Sequence, residues 1–217
     1  MIPVTPSGPP AGFAAKVVVP AQAWVNKKGW SWASPAPTGQ AKLLPAHWTK
    51  VLGDMHDTYA GVCAYLSVYT HRALDCTSVD HFVPKSKAPI AQAYAWSNFR
   101  LASRPMNTNK GQHEDVLDPF TLIPGLFTLN LLSGRVLINA EVAPVGSPLH
   151  AQAKATVKRL KLNAGEYRSL RLTYLDEYLS ACQPKSRASI KTSTKNARNA
   201  LLIASPFIHY EVVRQGW

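Results

Sequence analysis

Five side chains between Asp80 and Lys110 have types and spacing that could do chemistry together. Asp80 and His81 are adjacent, Asn98 follows Trp96-Ser97, Asn107 lies nine positions on (107 − 98 = 9), and Lys110 closes the run. The Asp80 carboxylate and the Asn107 amide oxygen are hard donors. They suit Mg²⁺ or Mn²⁺, ions that keep several waters and share oxygens with a substrate phosphate. The His81 imidazole, with an ordinary pKa near ~6.5, accepts a proton at neutral pH and is the candidate general base. Successive side chains on a strand point to opposite faces, so Asp80 and His81 take separate roles.

The surrounding sequence predicts the elements that position these residues. Residues 76–82 read as a strand, with β-branched Thr77 and Val79 ahead of the Asp-His pair, and Pro84 stops it. Lys85, Ser86 and Lys87 form a basic loop, and residues 89–95 cross back. Residues 98–103 make a second strand in which Phe99 and Leu101 alternate against Arg100. Ser103 is placed to cap a helix that starts near Pro105, carries Asn107 and Lys110, and ends at Gly111.

This run, VDHFVPKS and then AYAWSNFRLASRPMNTNKG, resembles the HNH nucleases of the ββα-metal group. The resemblance implies that the Asp-His pair ends the first strand of a hairpin, that Asn98 braces the loop orienting His81, and that Asn107 is the last metal ligand, on the following helix. Many members carry His at that last position. A subgroup that includes the HNH domain of RNA-guided CRISPR nucleases carries Asn, and there Lys110 matches a basic residue near the scissile phosphate. The implied reaction is hydrolysis of DNA phosphodiester bonds with one Mg²⁺ or Mn²⁺ ion and His81 as base, in a ββα-metal core spanning 76–111. Such hydrolysis needs charge neutralised at the phosphate and cations to hold the backbone. Lys85, Lys87, Arg100 and Arg104 are the nearby candidates for that contact.

Outside the core, Trp48, Gly61-Val-Cys-Ala-Tyr65, Asp118-Pro119, the segment 155–163 and Leu170-Arg171 resemble the small HNH nucleases of retron and Septu antiphage systems. Those enzymes work beside an ATPase, which implies a role in phage defence and a possible ATPase partner. Members of the wider family often hold a structural Zn²⁺ between two Cys-x-x-Cys knuckles. Here the corresponding positions are Cys63, Leu66, Ser103 and Met106, and one thiolate cannot build a tetrahedral site. No structural Zn²⁺ is expected, and a small apolar cluster takes its place.

The balance of 24 Lys+Arg against 12 Asp+Glu gives a net charge of +12 and suits a polyanionic partner, DNA foremost. No apolar run is long enough to span a bilayer and no amphipathic anchor stands out, so no membrane partner is expected. Cys63, Cys76 and Cys182 are too few and scattered for a disulfide framework and read as reduced thiols. The start of the chain lacks secretory-signal features, which makes the cytoplasm the expected compartment.

The expected fold class is α+β: a ββα-metal core in a mostly helical domain over 46–217, preceded by an irregular Pro-rich segment over 1–45 that wraps the surface. Trp24, Trp30 and Trp32 in that segment are expected to dock on the body. Residues 46–71 carry a helical stripe. A further hairpin is predicted over 126–138, and helices are predicted after Ser147-Pro148 and over 164–181, the latter with a capping box from Asn163 and Glu166. The stretch 184–198 holds Lys185, Arg187, Lys191, Lys195 and Arg198 with no acidic residue, and is read as a further phosphate-contacting segment. Two other classes stay open. One is a nuclease subunit inactive until joined by a partner ATPase, and the other is a basic nucleic-acid-binding module with a dead nuclease core.

Overall fold

A proline near the start of a helix loses no backbone bond there, because the first N–H groups of a helix have no intrahelical acceptor. Pro20 lacks that freedom, because the chain ahead of it is already helical, and it falls instead just after a widened π-type turn. A π-helical turn, Ala14–Val18, runs into helix α1, Val19–Lys27. The computed structural model describes residues 1–74, 76–182 and 190–216, without the side chains of 190–193. Within residues 1–45 the irregular reading is therefore corrected: Phe13, Val17, Ala21 and Val25 form one buried helical face. Trp24, Trp30 and Trp32 pack against the same apolar cluster.

The chain divides into two compact units, one of residues 5–63 with 70–114 and one of residues 1–4, 64–69 and 115–217. The single domain expected over 46–217 gives way to this division, and residues 5–45 belong with the hairpin rather than apart from it. In the first unit a 3₁₀ turn, His47–Val51, leads into helix α2, Leu52–Thr58. The helical stripe ends there, because Ala60 and Gly61 both take positive φ and turn the chain.

Strand β1, Thr77–His81, pairs antiparallel with strand β2, Phe99–Ser103, placing Asp80 opposite Arg100 and His81 opposite Phe99. Between them lies the short helix α3, Ile90–Ala93. Helix α4, Arg104–Lys110, follows β2 directly, with Pro105 in its first turn and Gly111 at φ 51° ending it. Ser103 has the backbone of an N-cap but makes no capping bond. Its N–H donates to Cys63 Sγ at 3.3 Å and its hydroxyl receives the Cys63 thiol, so the side chain serves packing instead. Phe99, Leu101 and Met106 are fully buried, each contributing on the order of 1.5–3 kcal/mol by leaving water.

The N-terminal segment fastens the connection between the strands. Ile90 N–H donates to Ser34 O and Ala91 N–H to Trp32 O, both at 2.9 Å, beside a bridge between Pro35 and Pro89. Trp32 stacks on Tyr94 at 5.7 Å, whose hydroxyl donates to Pro45 O.

In the second unit, strands β3, Phe127–Asn130, and β4, Arg135–Ile138, form the expected hairpin. Gly134 at its turn has φ 65°, and a Cβ there would lie 2.6 Å from Arg168 O. Four helices follow in order: α5, Pro148–Arg159; α6, Gly165–Cys182; α7, Ile190–Ala204; and α8, Pro206–Arg214. Ser147 caps α5 by accepting from His150 N–H. The capping box expected at Asn163 is corrected: its amide pairs with both backbone groups of Val136, completing the edge of β4. The fold is α+β, and among the described residues no helix is long and apolar enough to cross a membrane.

Candidate functional site

The site is built at the open end of β1. His81, the last residue of that strand, is half-buried, with its ring set T-shaped against two aromatics. Trp48 lies at 4.6 Å and Phe99 at 5.3 Å between ring centroids. Its Nε2 bonds to the Ala93 carbonyl at 2.9 Å. A carbonyl can only accept, so Nε2 carries the proton and Nδ1 is left with a lone pair in the neutral ring. Burial pushes the His81 pKa down to about 4. The Ala93 bond opposes that shift, and the Lys85 and Lys110 ammonium groups add to it. The imidazole is neutral at pH 7, as a proton acceptor must be.

Asn98 braces the connection next to Ala93. Its Oδ1 accepts from Val83 N–H at 2.8 Å, and its Nδ2 donates to Val83 O at 3.0 Å and Gln92 O at 3.2 Å. One buried amide thus ties both ends of the connection between the strands. Removing it would leave both backbone groups of Val83 to find other partners, while Gln92 O keeps a bond from Ala95 N–H.

Asp80, Asn107 and His81 line one cleft of about 330 Å³, together with Trp48, Lys85 and Lys42. Asn107 Nδ2 donates to Ser78 Oγ at 3.1 Å and to Val79 O at 3.2 Å. The Val79 carbonyl fixes which amide atom is nitrogen, so Oδ1 is the atom left to accept. Asp80 is only 2% exposed, and its Oδ1 lies 3.1 Å from Lys110 Nζ, itself 0% exposed. The site thus offers a carboxylate and an amide oxygen, a donor set that fits a hard, water-retaining ion such as Mg²⁺. Among the described residues no group of three or more His, Cys, Asp and Glu side chains gathers, so any such ion would rest on these two oxygens and on water or substrate.

The other predicted residues divide sharply. The resemblance implies a substrate-facing Lys110, but its ammonium is enclosed: besides Asp80 it donates to His81 O at 2.7 Å and sits over the Phe82 ring. The expectation that Arg100 contacts DNA is corrected. It is 3% exposed, donates to Ser97 O and Phe99 O, and stacks on Phe82. Lys85 stays at the cleft, half-buried, with Nζ 4.8 Å over the Trp48 ring and its pKa lowered by burial. Lys87 is exposed and paired with Glu114, and Arg104 is exposed at the start of α4. In the second unit Lys195 is exposed on α7, and Arg198 is half-buried, with Nε 3.3 Å from the Tyr178 hydroxyl. Lys185, Arg187 and the side chain of Lys191 lie outside the described residues.

Sequence reasoning places Trp48 in a core stripe and passes over its part in the site. It packs T-shaped on His81 and carries Lys85 on its ring, while Lys42 joins the cleft from a distant turn. No local spacing signals either contact. The chain matches no protein-family model, no curated protein and no solved structure.

Proposed function

We propose that this chain is a metal-dependent endonuclease of the HNH, ββα-metal kind, hydrolysing phosphodiester bonds in DNA. The single observation that carries the proposal is the His81 arrangement. A neutral imidazole with Nε2 fixed to Ala93 O keeps an unprotonated Nδ1, and His81 lines one cleft with Asp80 and Asn107. A site for binding alone has no use for a proton acceptor beside two hard oxygen donors.

His81 Nδ1 would take the proton of the attacking water as that water approaches phosphorus, and the Ala93 carbonyl stabilises the imidazolium that results. Asp80 and Asn107 would hold a Mg²⁺ or Mn²⁺ ion, whose chemistry is to neutralise charge building on the phosphate and leaving oxygens. Lys85 would move from the Trp48 ring onto the phosphate backbone, with Lys42 beside it. Lys110 and Asn98 touch no substrate atom and act by placing Asp80 and the His81 loop. A place in phage defence belongs to the same proposal and rests on the resemblance alone.

The test is plasmid nicking by the purified chain with Mg²⁺, with EDTA, and in the His81→Ala variant. Cleavage is expected with Mg²⁺ alone, and the variant should lose ~10²–10⁴-fold in rate while DNA affinity holds. Cleavage by His81→Ala at the wild-type rate would refute the assignment. A second reading, a subunit needing an ATPase partner, is favoured by apolar side chains left exposed near the C-terminus, among them Leu202 and Ile203. It predicts silence alone and cleavage once the partner is added.

A further inference from the structure

We infer that Lys110 is a positioning residue that serves as the built-in counter-ion of Asp80 and thereby sets how tightly the cleft takes a divalent cation. The inference rests on reading Asp80 and Asn107 as the donors for that ion. Three observations lead to it. The ammonium is 0% exposed, so it reaches no phosphate without leaving its place. It donates to the His81 carbonyl at 2.7 Å, which pins it to the end of β1, and the Phe82 ring closes a further side at 5.7 Å. From that position Nζ lies 3.1 Å from Asp80 Oδ1.

The same carboxylate must then serve two cations. A divalent ion approaching Asp80 meets an anion already partly compensated by a neighbour that burial keeps from being screened. The arrangement keeps a buried carboxylate stable when no metal is bound, since an unpaired buried charge is strongly destabilising. Its cost is weaker metal binding. Removing the Lys110 charge while filling its space should therefore tighten divalent binding, even as it loosens the fold. A residue with a merely structural role predicts the reverse, because a disturbed cleft binds ions less well.

The experiment is a calorimetric titration of the full chain with Mn²⁺ and Mg²⁺, for the wild type, Lys110→Gln, Lys110→Met and Asp80→Asn. Lys110→Gln keeps a donor for the His81 carbonyl without the charge. The expected result is divalent affinity roughly tenfold higher or more in the neutral variants, and loss of binding in Asp80→Asn. Equal or weaker binding in the folded neutral variants, with wild-type binding still dependent on Asp80, would overturn the inference and leave the metal reading intact. Absence of Asp80-dependent binding in every form would overturn both. Tighter binding with no cleavage by the wild type, alone or with a partner ATPase, would uphold the inference and sink the nuclease proposal. Should the neutral variants not fold, the Lys110 side-chain methylene signal of the wild-type protein decides. It is expected to shift with diamagnetic Mg²⁺ at the binding midpoint, and a signal unmoved at saturation overturns the inference.

Discussion

The depressed pKa of His81 ties catalysis to stability, and both follow from one number. Unfolded, the side chain titrates near 6.5, and folded it titrates near 4, chiefly because burial penalises the charged ring. Between those values the unfolded chain binds more protons than the folded one. Stability from this group is therefore fully present above pH 6.5 and is lost as pH falls toward 4. The difference, 6.5 − 4 = 2.5 pH units, amounts to up to about 3 kcal/mol at 1.36 kcal/mol per unit. His81→Gln removes the titration and supplies the reference. Urea unfolding of both proteins from pH 7 to pH 4 should show the wild type losing up to about 3 kcal/mol relative to the variant, with the steepest change near the middle of the window. Cleavage should follow the folded value: in the proposed mechanism the acid limb of kcat/KM falls below pH 6.5, since the base of the free enzyme stays unprotonated well under that point. A wild-type minus variant stability difference that stays flat from pH 7 to pH 4 would refute the buried, neutral imidazole. An acid limb at or above pH 6.5 would refute its role as base.

Further outcomes are expected. Asn98→Ala unpairs Val83 N–H and Val83 O, while Gln92 O keeps the Ala95 N–H, and should cost about 2–4 kcal/mol in urea unfolding; a loss under about 0.5 kcal/mol would show that the loop holds without it. Replacing Lys191, Lys195 and Arg198 with Ala should flatten the slope of log affinity for DNA against log salt, by about 0.9 for each phosphate that the variant no longer neutralises. An unchanged slope would return this stretch to a solvated helix face. Elemental analysis of the purified protein should find no stoichiometric zinc, because the Cys63 thiol engages Ser103 and the other knuckle positions carry Leu66, Ser103 and Met106. One tightly held zinc per chain would contradict this.

Local signals are enough for the hairpin and the helix after it. Thr77 and Val79 favour strand, Pro105 suits a first helical turn, and Gly111 accepts the positive φ that ends α4. Where a residue's role depends on what covers it, the same signals fail. Alternation along β2 sets Arg100 opposite Phe99 and Leu101, which reads as a solvent face, yet all five β2 residues are buried, and Arg100 lies against the Phe82 ring. Lys110 turns inward for a similar reason: a long side chain in the last turn of α4 reaches the end of β1, 30 residues away in sequence. The composition of 1–45 suggests no helix, since proline content says nothing of where each proline falls, and Pro20 falls where a π-helical turn runs into α1. Asn163 fits a helix-capping pattern but meets the free edge of β4 first.

The strap of residues 32–35 along residues 89–91 bears on how the protein comes to work at all. Ser34 O and Ile90 N–H are separated by 56 positions (90 − 34 = 56), so the loop bearing Ala93 is fastened by a contact of high sequence separation. Chain closure over such a distance must be met entropically before its contacts reward it. The hairpin and its helix can form from neighbours, while the last fixing of the imidazole waits for the strap. During refolding, helical signal should then return ahead of the power to cut DNA. On the proposed nuclease reading, a chain built this way would cut no nucleic acid until it has finished folding.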